Sequence, residues 1–256
     1  MLHSKTKFRH FYPLTEIIGI FITAWAVALC YLLQGRFDNN SLLLFLATHA
    51  YYALDHGLDA RRFRTESFSH YLKICLLLCA LSVLAFGVLL FYFGFMESLG
   101  NFMLRFYPTL AIGLLYILLR TKTAKGFLIL KSVLIALGVG FAISFPSLQV
   151  KTLIAPILCW VNVLVFAYME RNKDAELGNA NLFNNGFTKK SLLVGLVIVA
   201  IAGTIMQWNL YLHGGFGLSI YACLSIIIMV NEAKFRQNTY RWWLDALLPV
   251  AFLPLG

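Results

Sequence analysis

The sequence predicts an all-α integral membrane protein of about nine transmembrane helices. Three observations lead there. Hydrophobic residues make up 60% of the 256 residues and charged ones only 12%, about half the share usual in a soluble domain. The mean hydropathy is +0.77. Apolar runs of near-spanning length follow one another from residue 13 to residue 255, and a soluble core of this size needs no such series. A transmembrane β-barrel would instead alternate apolar and polar residues in short segments.

The runs fall at roughly 13–33, 41–56, 71–95, 101–119, 126–146, 152–169, 191–211, 215–231 and 243–255. The first is too long for the core of a cleavable signal peptide and lacks a clear small-residue cleavage site. The second and the last are short for a helix that needs about 17–25 residues to cross. The fifth carries Gly138 and Gly140, which let helices approach closely. Trp242 and Trp243 stand at the start of the ninth and read as an interfacial belt. All five cysteines (Cys30, Cys75, Cys79, Cys159 and Cys223) lie inside spans and read as small packing residues rather than metal ligands or disulfides. The whole chain, 1–256, forms a single polytopic domain. Its longest loops are about 57–70 and about 171–190, and the second holds the turn-rich run GNANLFNNG.

The net charge of +10 would suggest nucleic acid until it is mapped onto the spans. Lys5, Lys7 and Arg9 precede span one. Arg61, Arg62, Arg64 and Lys73 follow span two, and Arg120, Lys122, Lys125 and Lys131 follow span four. Arg171, Lys173, Lys189 and Lys190 follow span six, and Lys234, Arg236 and Arg241 follow span eight. These are 18 of the 21 basic residues, all on one side; only Arg36, Arg105 and Lys151 fall on the other. The positive-inside rule then puts the N-terminus and the even-numbered loops in the cytoplasm, in a multi-pass protein of the cytoplasmic (inner) membrane. The expected surroundings are a lipid bilayer, with no nucleic-acid partner.

Two acidic pairs interrupt this apolar pattern. Asp55 and Asp59 end the second span, in YYALDHGLDARR. Glu170 and Asp174 end the sixth, in FAYMERNKDAELG. Spacing of i, i+4 puts both carboxylates of a pair on one helix face. Charge that close to lipid is expensive and marks a functional site with a partner. Two pairs facing one cavity would hold a divalent metal against a diphosphate. The recurrence four spans apart suggests a duplicated plan of two four-helix units.

At these residues the chain resembles the UbiA superfamily of intramembrane prenyltransferases. That family carries NDxxDxxxD at the end of its second span and a DxxxD-type motif at the end of its sixth. Asp55 and Asp59 match the last two aspartates of the first motif, whose leading Asn and Asp are replaced by Tyr51 and Tyr52. In the second motif Glu170 stands for the first aspartate, while Asp174 and Gly178 fit. The segment LYILLRTKTAKGFLILKSVLIALGVGFAISFP is similar to the family's fourth connection and fifth span.

The resemblance implies a helical bundle around a central cavity. It implies that Asp55, Asp59, Glu170 and Asp174 hold Mg2+ on an isoprenyl diphosphate, whose prenyl group passes to a hydrophobic or aromatic acceptor. Arg62, Arg120, Lys122, Lys125 and Arg171 would neutralise the leaving diphosphate. Tyr51, Tyr52, Tyr116, Phe166 and Tyr168 would line the cavity, with His49 as a further lining candidate. The altered first motif leaves open a non-catalytic binder of prenyl lipid or quinone, and a small transporter is a third reading. Plainer roles compete at several positions. Asp55 with Arg62, or Glu170 with Arg171 and Lys173, would also serve as interfacial ion pairs. Arg241 and Asp245 read as a structural i, i+4 pair, and Glu16 as an interfacial residue or a partner for a neighbouring helix. His56 and His70 read as polar residues at headgroup level.

Overall fold

The computed structural model describes residues 13–33, 38–60, 66–119, 125–144, 151–177, 180–210, 215–234 and 239–252. Among them every regular element is helical. The α-helices are α1 (Pro13–Leu32), α2 (Asn40–Ala60), α3 (Glu66–Tyr92), α4 (Phe95–Leu119), α5 (Lys125–Ser144), α6 (Lys151–Leu177), α7 (Lys189–Leu210), α8 (Gly215–Val230) and α9 (Tyr240–Leu247). Short 3₁₀ turns cover Phe183–Asn185, Glu232–Lys234 and Leu248–Phe252.

Apolar composition explains most of these elements, because a helix satisfies its own backbone in lipid. Six helices (α1, α3, α4, α5, α6 and α7) are long and apolar enough to cross a bilayer, so the molecule is a multi-pass helical membrane protein. The other three differ. α2 carries His49, Asp55, His56 and Asp59, α8 has 16 residues, and α9 has eight. The expected ninth span is thus a short helix continued by a 3₁₀ turn over its described part.

The two expected long loops are largely helical. α2 runs to Ala60 and α3 begins at Glu66, within 57–70. α6 runs to Leu177, α7 begins at Lys189, and a 3₁₀ turn fills part of the remainder. Apolar patterning marks where lipid contact stops, whereas the helix continues into water as long as its backbone bonds are met. The turn signal survives at Gly186, which ends the 3₁₀ turn at φ 95°. Gly94, at φ 88°, makes the tight connection between α3 and α4. Such φ values favour glycine because no Cβ opposes them.

Burial separates centre from periphery. In α1 and α6, 56% of the apolar window is buried, against 17% in α3 and α7 and 11% in α4. α1 packs against α2, α5, α9 and the closing 3₁₀ turn, while α6 packs against α5, α7, α8 and α9. α5 meets α6 where Gly140 faces Pro156: a Cβ at Gly140 would lie 2.5 Å from the proline backbone. Gly217 of α8 is as close to the closing turn, where a Cβ would lie 2.3 Å from the Ala251 carbonyl oxygen. Gly138 sits opposite Ile112 of α4, and Thr109 donates to its carbonyl at 3.1 Å. Small residues at helix contacts let backbones pack closely where lipid supplies no hydrophobic drive.

Candidate functional site

A cavity of about 370 Å³ opens among α1, α2, α5, α6 and α9, within the size range of small-molecule sites. Each helix presents one face to it. On α1 the face is Glu16, Gly19, Ile20, Thr23 and Val27; on α2 it is Tyr52, Asp55, His56 and Asp59. α5 contributes Lys131, Ser132, Ile135 and Val139. α6 contributes Asn162, Phe166, Glu170, Lys173 and Asp174, and α9 contributes Arg241 and Asp245. The recurrence at three and four residues is the helical repeat. From Glu16 to Val27 the α1 face extends about 16 Å at 1.5 Å per residue.

Both acidic pairs therefore border the same cavity. Six of the chain's 11 acidic residues line it: Glu16, Asp55, Asp59, Glu170, Asp174 and Asp245. They face Lys131, Lys173, Arg241 and His56. Away from these charges the wall is mostly apolar, with Ile20, Val27, Ile135, Val139 and Val163, apart from a polar group of Thr23, Asn162 and Asp245. The cavity is amphipathic, with most of its charge at one end and most of its apolar surface at the other.

Glu16 organises the charged end. It is 1% exposed, and Lys173 and Arg241 each donate to its carboxylate at 2.5 Å. The His56 ring nitrogen lies 3.7 Å away and also meets the Tyr71 hydroxyl at 3.0 Å. Arg241 bridges onward to Glu170 at 2.7 Å, and Tyr240 donates to the same carboxylate at 3.3 Å. Trp242 donates to the Thr15 carbonyl at 3.1 Å, fixing α9 against α1. The segment after α6 returns over the site: Asn181 donates to Asp174 at 2.6 Å and to the Ala167 carbonyl at 2.8 Å. Its own carbonyl oxygen accepts the Phe183 backbone N–H at 2.9 Å, which holds the amide in place.

Several expected placements change. Tyr52, Tyr116 and Phe166 line the cavity, but Tyr51 stands behind them, 5.7 Å from the Tyr52 ring and 6.4 Å from that of Tyr116. His49 shares the α2 stripe of Tyr52 and His56 but lies one to two turns deeper, where it pairs with Ser82 of α3 at 2.8 Å instead of lining the cavity. Arg171 turns outward, salt-bridged to Glu232 at 3.0 Å and stacked 4.0 Å from the Tyr168 ring. Burial resists the Glu232 charge, but hydrogen bonds from Tyr168 and Arg171 outweigh it and hold the carboxyl below its usual range. Arg241 pairs with Glu16 and Glu170, while Asp245 bonds instead to Thr23 and Asn162. His70 is exposed, whereas His56 lines the cavity. Arg62, Arg120 and Lys122 lie outside the described residues, as does the side chain of Lys125.

No family model, curated protein or solved structure matches this chain. The site is therefore read from its own chemistry.

Sequence reasoning underrated Glu16, Lys131, Lys173, Asn162, Arg241 and Asp245. A signal was present for some of them. Asn162, Phe166, Glu170 and Lys173 continue one α6 face through three turns of apolar helix, as Glu16 and Thr23 do on α1. Intramembrane polar residues at helical spacing point to a shared interior surface.

Magnesium can be weighed against this donor set. Among the described residues no three His, Cys, Asp or Glu side chains converge as an all-protein ligand group. Magnesium rarely uses one; it takes one or two carboxylates and completes its shell with water and phosphate oxygens. Asp55, Asp59 and Asp174 supply oxygens of that hard kind on one cavity. The set fits magnesium shared with a phosphorylated ligand, not magnesium caged by protein.

Proposed function

We propose that the protein is a UbiA-like prenyltransferase of the cytoplasmic membrane, with its N-terminus and the charged end of the cavity on the cytoplasmic side. Its substrates in this reading are an isoprenyl diphosphate and a hydrophobic or aromatic acceptor. One observation carries the reading: carboxylate pairs from sequence-distant helices α2 and α6 border one amphipathic cavity. A charged end beside an apolar wall suits a molecule with a diphosphate head and a hydrocarbon tail.

Asp55, Asp59 and Asp174 would hold magnesium, with Glu170 next to them; the ion would draw off charge as the diphosphate leaves. The chain's own groups do the rest. Lys131, Lys173 and Arg241 would offset part of the negative charge of carboxylates and diphosphate at the charged end. Tyr52, Tyr116 and Phe166 offer π faces to an allylic cation. The apolar wall excludes water and holds the tail in position.

A second reading is supported by the ion pairs. Glu16 and Glu170 already occupy Arg241, and Glu16 occupies Lys173. A site whose cations are met internally suits a binder of prenyl lipid or quinone that does not ionise its ligand. One experiment separates the two. Purified protein is incubated with magnesium and a series of isoprenyl diphosphates, and bound and released species are weighed by mass spectrometry. Transfer predicts magnesium-dependent diphosphate release, falling at least about 100-fold in Asp55→Asn and in Asp174→Asn, the scale on which single transition-state groups act. Unchanged release in both variants would end the metal-site reading. Intact diphosphate bound without release would select the binder.

A further inference from the structure

Basic residues gather where α6 ends, α7 begins and α8 ends, and none of them lines the cavity. Arg171 of α6 stacks 4.0 Å from the Tyr168 ring, and the Lys189 Nζ stands 5.3 Å from the same ring. Lys189 also donates to the Met229 carbonyl at 3.4 Å, which brings the start of α7 to the end of α8. Lys190 follows it, and Lys234 lies in the 3₁₀ turn after α8; both are exposed. Glu232, in that same turn, is held by Arg171 at 3.0 Å. Four cations thus stand around one carboxylate, and the patch is net positive. Lysine is unfavourable in the first turn of a helix, where the dipole is already positive. α7 carries Lys189 and Lys190 there and no acid. An anion at this end relieves both the dipole and the lysines.

The surface beneath the patch decides what carries the anion. Lys190, Val194, Val197 and Ile201 recur at three and four residues, so Lys190 heads an apolar stripe on α7. All four are exposed. From Lys190 to Ile201 the stripe runs about 16 Å at 1.5 Å per residue, close to the depth of one leaflet's hydrocarbon. α8 packs antiparallel beside it and exposes Ile227 and Val230 at the end that meets Lys189. Hydrocarbon suits this stripe, and the charge at its head selects a negative headgroup.

We propose that this face of α7 and α8 seats an anionic phospholipid, its phosphate among Lys189, Lys190 and Lys234 and an acyl chain along Val194, Val197 and Ile201. Arg171, already bound to Glu232, adds to the field without taking the phosphate itself. No part of this seat depends on the transferase reading.

The test is a lipid competition on the full chain in detergent. Phosphatidylglycerol and phosphatidylcholine with identical chains are added in equal amounts, and retained lipid is counted by native mass spectrometry. The wild type retains phosphatidylglycerol about 25-fold over phosphatidylcholine, since each basic residue near a lipid headgroup is worth about fivefold and Lys190 and Lys234 supply two. Lys190→Gln and Lys234→Gln each lower the ratio about fivefold, and together they bring it within about twofold. Lys73→Gln removes the same charge from an exposed position on α3 and leaves the ratio unchanged. Equal retention of both lipids by the wild type overturns the proposal, and the patch then serves topology alone. So does a loss in Lys73→Gln as large as in Lys190→Gln, which marks diffuse attraction by net charge. Displacement of the bound lipid by millimolar glycerol phosphate also overturns it, because a soluble anion needs no apolar stripe. A phosphatidylglycerol preference in a protein that releases no diphosphate removes the transferase reading and leaves the lipid seat standing.

Discussion

The two ends of α1 each carry an ion-pair cluster, and the two clusters obey different physics. Near the start of the helix, the Glu16 side chain is 2% exposed and shared by Lys173 and Arg241. Near its far end, Arg105 meets Asp38 at 2.6 Å with side chains 26% and 38% exposed, and both bond to Tyr31. Contact distances are nearly the same. Water is not: it solvates Asp38 and Arg105 if their contact breaks, but it does not reach Glu16. Coulomb attraction rises several-fold as the effective dielectric falls from that of water. Desolvation rises with it, so a buried group depends on every partner it has. Equal geometry therefore implies an essential cluster at the cavity and a dispensable one at the other end.

Breaking the buried cluster should have the largest effect. Glu16→Ala leaves Lys173 without its carboxylate and halves the pairing of Arg241, so a loss of about 3–5 kcal/mol is expected. Thermal unfolding in detergent measures it. Adding Lys173→Ala should restore part of the loss in a double-mutant cycle; a loss below about 1 kcal/mol for Glu16→Ala would erase the distinction between the ends.

An intermediate case sharpens the comparison. Arg171 and Glu232 are 24% and 34% exposed, and Arg171 also stacks on Tyr168. Arg171→Ala should cost about 1 kcal/mol, combining a weak exposed pair with a cation–π contact. Diphosphate release should be unaffected by direct contact, since Arg171 lies off the cavity lining. A release defect as deep as that of Asp55→Asn would return Arg171 to the site.

The exposed cluster should respond least. Arg105→Ala is expected to cost no more than about 1 kcal/mol, and less in high salt. Its pH dependence has a definite sign. Partial burial raises the Asp38 pKa, but hydrogen bonds from Arg105, Asn40 and Tyr31 outweigh it and hold the carboxyl below its ordinary value. A depressed folded pKa stabilises above the unfolded value of about 3.9 and loses that stabilisation as pH falls through the folded one. The stability gap between wild type and Asp38→Asn should stay constant at neutral pH and close below about pH 4. A gap that widened on acidification would contradict the assignment.

Much of this contrast was legible in the chain. Asp55, Asp59, Glu170 and Asp174 stood out because charge is scarce in the apolar runs around them. Helical spacing then predicted correctly that each pair would share a face. Glu16 was less legible, since a single acid near a span end has the same local pattern whether it meets lipid headgroups or two cations. Arg241 was misread for the same reason. Its i, i+4 neighbour Asp245 is the obvious local partner, yet Glu16 and Glu170 come from helices far away in sequence. Spacing does not exclude His49 and Tyr51, since His49 stands three residues before Tyr52 and Tyr51 four before Asp55; packing decided, with His49 on Ser82 of α3 and Tyr51 against the Tyr116 ring.

The sequence by itself determined the solvent and the main elements. Sixty per cent apolar composition demands lipid, and backbone groups in lipid demand helices. It also determined which faces carry charge, because those faces follow from the helical repeat. Only tertiary structure decided which charges meet. Lys173 was assigned beside Glu170 by position and is bound to Glu16, 157 residues away. Asp245 left its neighbour Arg241 for Thr23 and Asn162. Local periodicity sets the direction of a side chain, but pairing is set by which faces of α1, α2, α5, α6 and α9 are packed together.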